Sequence, residues 1–392
     1  MGRDRAGRRE AGRSCHGHGR SEHVVTVDDV LKFKPKRKKK MARKGSVKHL
    51  HTAKSNKYDE FYTILSDIEK ELRHYKKHFK TKVVFCNCDD PRVSNFFHYF
   101  SYNFEQLGLK NLITTCYKNQ NADLFSEHNS ERAIYLEYAG NKNRNSIPDP
   151  TKIGIKHLSA DGDFRSQECI ELLKRSDIVV TNPPFSLFRE YVAQLVEHGK
   201  KFLIIGNWNA ITYKDIFRLI MQDKIWIGIN SNRNFSGFIV PQHYPLHGTE
   251  ARVDENGNRI VSTNNTCWFT NLDVTKRHEE LILHKKYSAK EYPKYDNYNA
   301  IEVSKTVDIP MDYDKLMAVP ITFLDRYSPT QFEILGIMDR ENSSGLRTKK
   351  YAAEDAANFN DLNARGVLKI GKTYEAKYAR ILIRKRGGKH GH

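Results

Sequence analysis

Several classes of protein are excluded by what this chain has little of. Six cysteines in 392 residues are too few for a disulfide framework. Most of them sit in apolar runs such as VVFCNC and LITTCY, so they read as reduced, buried thiols. Cys86 and Cys88 alternate along one such run with no second Cys/His pair at zinc spacing behind them, and no metal site is expected. No stretch approaches the roughly 18 apolar residues of a membrane span, and the Arg-rich start lacks the apolar centre of a secretion signal. These absences read as a soluble, cytoplasmic protein. A Gly-rich phosphate cradle and a Walker lysine are missing too, which argues against ATP and dinucleotides.

Charge of one sign is in excess, but unevenly placed. Lys and Arg number 66 against 47 Asp and Glu, a formal +19, which ordinarily suggests a nucleic-acid or membrane partner. Residues 1–57 carry 18 Lys/Arg against 5 Asp/Glu, or +13, and residues 380–392 add +5, leaving +1 for the body between them. The run KFKPKRKKKMARK (32–44) cannot bury enough surface to order itself. Residues 1–53 are therefore expected to be a basic disordered tail, with 387–392 a basic tail end and Met41 a plausible second start. A solvated arm and a non-specific phosphate-binding arm both remain open for that tail.

From residue 64 helix and strand alternate. ILSDIEKELRHYKKHF (64–79) has helical spacing, and KVVFCNC (82–88) is an unbroken apolar run suited to a buried parallel strand. PRVSNFFHYFSYNFEQLG (91–108) opens with proline and ends at glycine, as a helix does. NLITTCY (111–117) and KIGIKHL (152–158) read as strands, SQECIELLKR (166–175) as a helix, and DIVVTNPP (177–184) as a strand stopped by two prolines. FREYVAQLVEHG (188–199), KFLIIGN (201–207), YKDIFRLIMQ (213–222) and KIWIGI (224–229) continue the cycle. The class is α/β, a doubly wound, mostly parallel sheet. A polar insertion (119–150) encloses one strand, AIYLEYA (133–139). After residue 230 the helices stop, and FSGFIVP, RIVST and NTCWFTNL read as antiparallel strands joined by turns. A C-terminal mixed α+β segment follows, ending in the basic strand KYARILIRKR (377–386). The expected division is a catalytic domain at 54–285 and a recognition segment at 286–386.

The sharpest motif is Asn182-Pro183-Pro184-Phe185, directly after the apolar run DIVVT. Ligands of doubly wound sheets bind at the carboxyl ends of strands, so this loop is well placed. Two prolines fix the backbone and remove two N–H donors, leaving carbonyls able to face a substrate amine. If the Asn182 side-chain oxygen and the Pro183 carbonyl each accept a hydrogen of an exocyclic amine, nitrogen can move toward tetrahedral geometry and release its lone pair. Phe185 offers a stacking face. The tetrapeptide arises by chance in roughly one chain in several hundred, so a plain strand-ending turn is the weaker reading. An amine nucleophile needs an electrophile. Asp89 and Asp90, after the first strand, can accept from an ammonium group or hydroxyls of a phosphate-free cofactor such as S-adenosyl-L-methionine, although an acidic pair there also suits a helix cap. Asp163 and Phe164 in SADGDF can meet an adenine ring, with a simple turn as the alternative.

The order DEFYT, first-strand loop, GDF, NPPF resembles that of the gamma-ordered amino-methyltransferases. CNCDDPRVSNFF, TNPPFSLF and VPITFLDRYSPTQFEILG are more closely similar to the EcoRI-type adenine-specific DNA methyltransferases, over about residues 41–385. The resemblance implies that Phe61, Tyr62, Thr63, Asp89 and Asp90 hold the cofactor, that Asp163 and Phe164 meet its adenine, and that Asn182 to Phe185 hold the target base. It implies a monomer acting on double-stranded DNA in a restriction-modification system, with GAATTC a first guess at the site, and methyl transfer to N6 of a flipped adenine. The first-strand loop lacks the glycines usual in methyltransferases, and no acidic residue ends the second strand. Asn232, Arg233 and Asn234 are candidates for contacts to base edges. The rival readings are an RNA or protein-glutamine methyltransferase and a catalytically silent nucleic-acid-binding protein.

Overall fold

The apolar runs form the centre of one sheet. The computed structural model describes residues 62–117, 133–140, 148–230, 235–240, 251–261, 265–339 and 345–387. Its main sheet is built from β1 (Val83–Cys86), β2 (Asn111–Cys116), β3 (Ile134–Tyr138), β4 (Lys156–His157), β5 (Ile178–Thr181), β6 (Lys201–Asn207), β7 (Trp226–Ile227) and β8 (Thr266–Thr270). Their order across the sheet is β4-β3-β2-β1-β5-β6-β8-β7. The four inner strands β2, β1, β5 and β6 run parallel, and the remaining pairings, β2 with β3, β3 with β4, β6 with β8 and β8 with β7, are antiparallel.

Both faces of the sheet are covered, which is why its inner strands are continuously apolar. Val84, Cys86, Ile178, Val180, Leu203 and Ile205 point toward α1 (Leu65–Leu72) and α2 (Asn95–Tyr102). Phe85, Val179, Phe202 and Ile204 point the other way, toward α3 (Gln167–Arg175), α4 (Phe188–Glu197) and α5 (Lys214–Met221). From β1 the chain winds to one side through β2, and from β5 it winds to the other through β6. The strand order thus reverses between β1 and β5, the place where sheets of this kind form a ligand crevice above the strands' carboxyl ends.

Four expectations are corrected. The helix expected over 64–79 breaks after Leu72, because Tyr75 leaves helical geometry (φ −111°, ψ 5°) and its hydroxyl donates to the buried Glu71 carboxylate at 2.8 Å. The helix expected from Pro91 starts at Asn95, since residues 90–94 turn around Asp90 and Ser94 caps the helix by accepting from the Phe96 N–H. KIGIKHL begins inside a helical turn, Pro150–Ile153, passes Gly154 and keeps only the two residues of β4 as strand. NTCWFTNL does not join the neighbouring strands. It enters the main sheet as β8, between β6 and β7, where all five of its residues are buried. A strand apolar on both faces needs an interior place.

The segments 62–63, 238–240, 259–261 and 251–253 form a separate antiparallel sheet in that order. Farther along, Ile301–Glu302, Met317–Pro320, Arg380–Lys385 and Phe332–Ile337 make a further sheet. One of its faces (Met317, Val319, Ile381, Ile383) shares the core of α5. Among the described residues no helix is long and apolar enough to cross a membrane.

Candidate active site

Two loops frame the crevice. After β1 come Asn87, Cys88, Asp89 and Asp90; after β5 come Asn182, Pro183, Pro184 and Phe185. A hydroxyl joins them. Thr181, the last residue of β5, donates to the Asp89 carboxylate and lies against the Asn87 carbonyl. Ser94 donates to the other Asp89 oxygen at 2.9 Å, and the Asp89 N–H donates to the Thr115 carbonyl at the end of β2 at 2.8 Å. The Asp89 side chain is therefore locked at the strand reversal.

Burial pushes the Asp89 carboxyl up to about 7, a rise that the Thr181 and Ser94 hydroxyls restrain and the Asp90 charge reinforces. Asp90 faces Arg92 instead, and both its oxygens accept from that guanidinium. The glycines absent from this loop are replaced by strain: Cys88 takes φ 70°, in the left-handed region that side chains other than glycine, Asn and Asp rarely enter. Cys86, Cys88, Cys116, Cys169 and Cys267 are free thiols, and burial holds each above the ordinary thiol range. Among the described residues no cluster of three or more metal-ligating side chains occurs.

The third loop presses on the same end of the sheet. Gly162, at φ 78°, approaches β2 so closely that a Cβ there would stand 2.4 Å from the Cys116 carbonyl. Asp163 follows. Both of its oxygens accept from Arg165, whose guanidinium also reaches Glu190 on α4 at 2.9 Å. Burial opposes the Asp163 charge, but Arg165 outweighs it and holds the carboxyl below its ordinary value. Phe164 is 3% exposed, set edge-on to Tyr191 at 5.0 Å, and its carbonyl accepts from Gln194. Its ring anchors the loop to α4.

In the Asn-Pro-Pro-Phe turn Pro183 and the Asn182 side-chain oxygen are buried, whereas Asn182 as a whole, Pro184 and Phe185 are half-buried. The Pro184 carbonyl accepts from the Leu187 N–H at 3.0 Å. Phe185 meets Phe238 edge-on at 6.3 Å, and Phe238 pairs with Thr63. Thr63 is tied to the first-strand region by the Asn95 side chain, which donates to its carbonyl at 2.8 Å. Tyr62, Thr63, Asp89, Asp90, Asp163, Phe164 and Asn182 to Phe185 thus belong to one connected group of loops. Phe61, Asn232, Arg233 and Asn234 lie outside the described residues.

Sequence reading missed the residues that make these connections. Thr181, Ser94 and Asn95 lie within the quoted motifs and Arg165 directly after SADGDF, yet none stood out as a site residue: Thr181 and Asn95 act on Asp89 and Thr63 far away in the chain, and Ser94 and Arg165 on Asp89 and Asp163 close by. Two buried carboxylates of α1 were also missed. Glu71 accepts from the Ile229 and Asn230 N–H groups at 2.8 and 2.7 Å, and Asp67 from the Ser236 N–H and hydroxyl at 2.6 and 2.7 Å.

Carboxylates and hydroxyls on one side of a strand reversal, with a proline-stiffened amide loop on the other, are an arrangement consistent with an amino-methyltransferase that uses S-adenosylmethionine. The family described as adenine-specific methyltransferase EcoRI matches residues 49–386. The chain is 57% identical over 297 residues to the Type II methyltransferase M.EcoRI of Escherichia coli, spanning 75% of this chain and 90% of that protein. It is 36% identical to M.MgeORF184P of Mycoplasma genitalium over 345 residues, and 36% identical to M.MpnI of Mycoplasma pneumoniae over 343; each alignment spans 86% of this chain and 98% of the relative. No solved structure matches. The chain therefore belongs to the EcoRI family of adenine-specific methyltransferases, as the motifs implied. It is a DNA adenine methyltransferase of the restriction-modification kind, with S-adenosylmethionine as methyl donor.

Proposed function

We propose that this enzyme methylates N6 of an adenine flipped out of duplex DNA, in the crevice between the β1 and β5 loops. The observation that carries the reading is the Thr181–Asp89 hydrogen bond, which holds the Asn-Pro-Pro-Phe loop beside the carboxylate loop. Flipping is required because the amine is inaccessible inside the helix. The Asn182 side-chain oxygen and the Pro183 carbonyl accept the two amine hydrogens. The Pro184 carbonyl, committed to Leu187, is left out of that role. Phe185, steadied edge-on by Phe238, faces the base.

S-adenosylmethionine supplies an electrophilic methyl on sulfur. The acceptors present fit such a cofactor: buried Asp89 and half-buried Asp90 suit its ammonium and hydroxyls, and Tyr62 and Thr63 border the same loops. Asp163 and Phe164 mark the adenine end. Phe164 acts there by fixing the loop, and Asp163 by a carboxylate that Arg165 keeps ionised. The chain contributes position, with no titrating base needed for the transfer, since the amine can lose its proton afterward.

In this reading residues 54–285 carry catalysis and 286–386 recognition, a monomer acts in the cytoplasm, and Asn232, Arg233 and Asn234 reach bases. GAATTC is the first site to test. The experiment is labelled methyl transfer to duplex DNA, RNA and protein in parallel. Label in duplex DNA as N6-methyladenine is the expected result, and label only in RNA or protein would overturn the reading.

A further inference from the structure

The antiparallel ribbon of Val367–Ile370 and Thr373–Ala376 joins no larger sheet among the described residues. Its base is fixed. Leu368 packs in a cluster with Tyr295, Tyr298 and Met338, and the Val367 N–H donates to the Asn297 side chain at 2.9 Å while its carbonyl accepts from the Asp296 N–H at 2.8 Å. Its tip projects. Residues 369–373 are all exposed, Ile370 at 58%, and Gly371 turns the chain at φ 60° with nothing within 4 Å of where a Cβ would stand.

The surroundings are basic and aromatic. Residues 345–387 hold 11 Lys/Arg against 4 Asp/Glu. The Lys349 ammonium sits 4.8 Å and 5.4 Å from the rings of Tyr351 and Tyr374, Lys369 lies 5.9 Å from Tyr374, and Arg365 lies 5.6 Å from Tyr378, itself 81% exposed. Rings beneath cations hold those side chains extended. Lys349, Arg365 and Lys377 are matched by Asp296, Asp361 and Glu375. Among the described residues Lys369 and Lys372, on either side of the apolar Ile370, form no ion pair.

We propose that this ribbon contacts the DNA substrate, lying along a groove with Lys369 and Lys372 on phosphates and Ile370 toward the groove floor. The major groove admits a two-stranded ribbon, and side chains of this kind supply most backbone contacts. The proposal rests on the assignment of residues 286–386 to recognition and narrows it to one element.

The test compares DNA binding by the full chain, by the Lys369→Ala/Lys372→Ala variant, and by a Lys76→Ala/Lys77→Ala control that removes equal charge from an exposed helical turn elsewhere. Each is titrated with a duplex that the wild type methylates, over a salt series. The ribbon variant should bind about tenfold more weakly, with a salt slope shallower by about 2, and the control should not. Equal affinity and slope in the ribbon variant, or an equal loss in the control, overturns the proposal. Lysine acetylation footprinting gives a second measurement: duplex should protect Lys369 and Lys372, and full labelling in the complex overturns it. Methylation of the same duplex by the wild type, measured alongside, separates failure of the ribbon from failure of the enzymatic reading.

Discussion

Cofactor binding should depend on pH through Asp89. Its carboxyl lies at the strand reversal, raised by burial to about 7, and the charged groups facing it are Asp90 and, beyond it, Arg92. A ligand ammonium binds the ionised form, so affinity scales with the ionised fraction, about 0.09 at pH 6.0 and about 0.76 at pH 7.5 for a pKa near 7. The dissociation constant should therefore fall about sixfold over that interval, once the partial loss of charge of an α-amino group by pH 7.5 is counted. Calorimetric titration of S-adenosylmethionine from pH 5.5 to 7.5 measures it. An Asp89→Asn variant should bind weakly with a flat profile. A wild-type profile that is flat, or a variant profile that keeps the roughly sixfold change, would refute the reasoning. Stability follows the opposite trend. A carboxyl raised above its ordinary 3.8 favours the folded state most when protonated, so the cofactor-free enzyme should lose stability as pH rises from about 4 to about 7. Glu71, raised by its own burial, adds in the same direction.

Asn182→Ala should lower turnover at least about a hundredfold while the circular dichroism spectrum and cofactor affinity stay unchanged, as for loss of one group that acts on the reacting centre; full turnover would remove Asn182 from the mechanism. Gly206→Ala should cost about 1–3 kcal/mol in denaturant unfolding, because its Cβ would lie 2.5 Å from the Phe188 ring and 2.9 Å from Phe269. Glu71→Leu strands the Ile229 and Asn230 N–H groups and should destabilise by about 1–3 kcal/mol for each; an unchanged melting temperature would contradict that. A chain trimmed to residues 58–387 should keep site-selective methylation with weaker salt dependence, whereas a cut before Arg380 should fail to fold.

That last contrast shows where sequence reading stopped. KYARILIRKR (377–386) reads as a basic strand, and Arg380–Lys385 is one, but nothing in the sequence puts it in the middle of a sheet, between Met317–Pro320 and Phe332–Ile337. Alternation puts Ile381 and Ile383 on one buried face and Leu382 on the other, and charge counting hides that. The inner strands and the positions of both crevice loops were legible, since unbroken apolar runs and a double proline leave few alternatives. The insertion of β8 was not, because pairing across the sheet depends on partners about 60 residues away. Motif residues could be named in advance. The groups that join one segment to another, the Thr181 hydroxyl and the Asn95 amide, could not, since their role exists only once those segments meet.

The central claim is that the crevice between β1 and β5 methylates adenine in DNA. Base-resolved sequencing of unmethylated duplex DNA treated with the purified enzyme and S-adenosylmethionine tests it directly. N6-methyladenine at one fixed position of a single short sequence, absent when the Asn182→Ala variant is used, is the outcome predicted. Unmodified DNA, or modification that persists at the same level in that variant, would contradict the account.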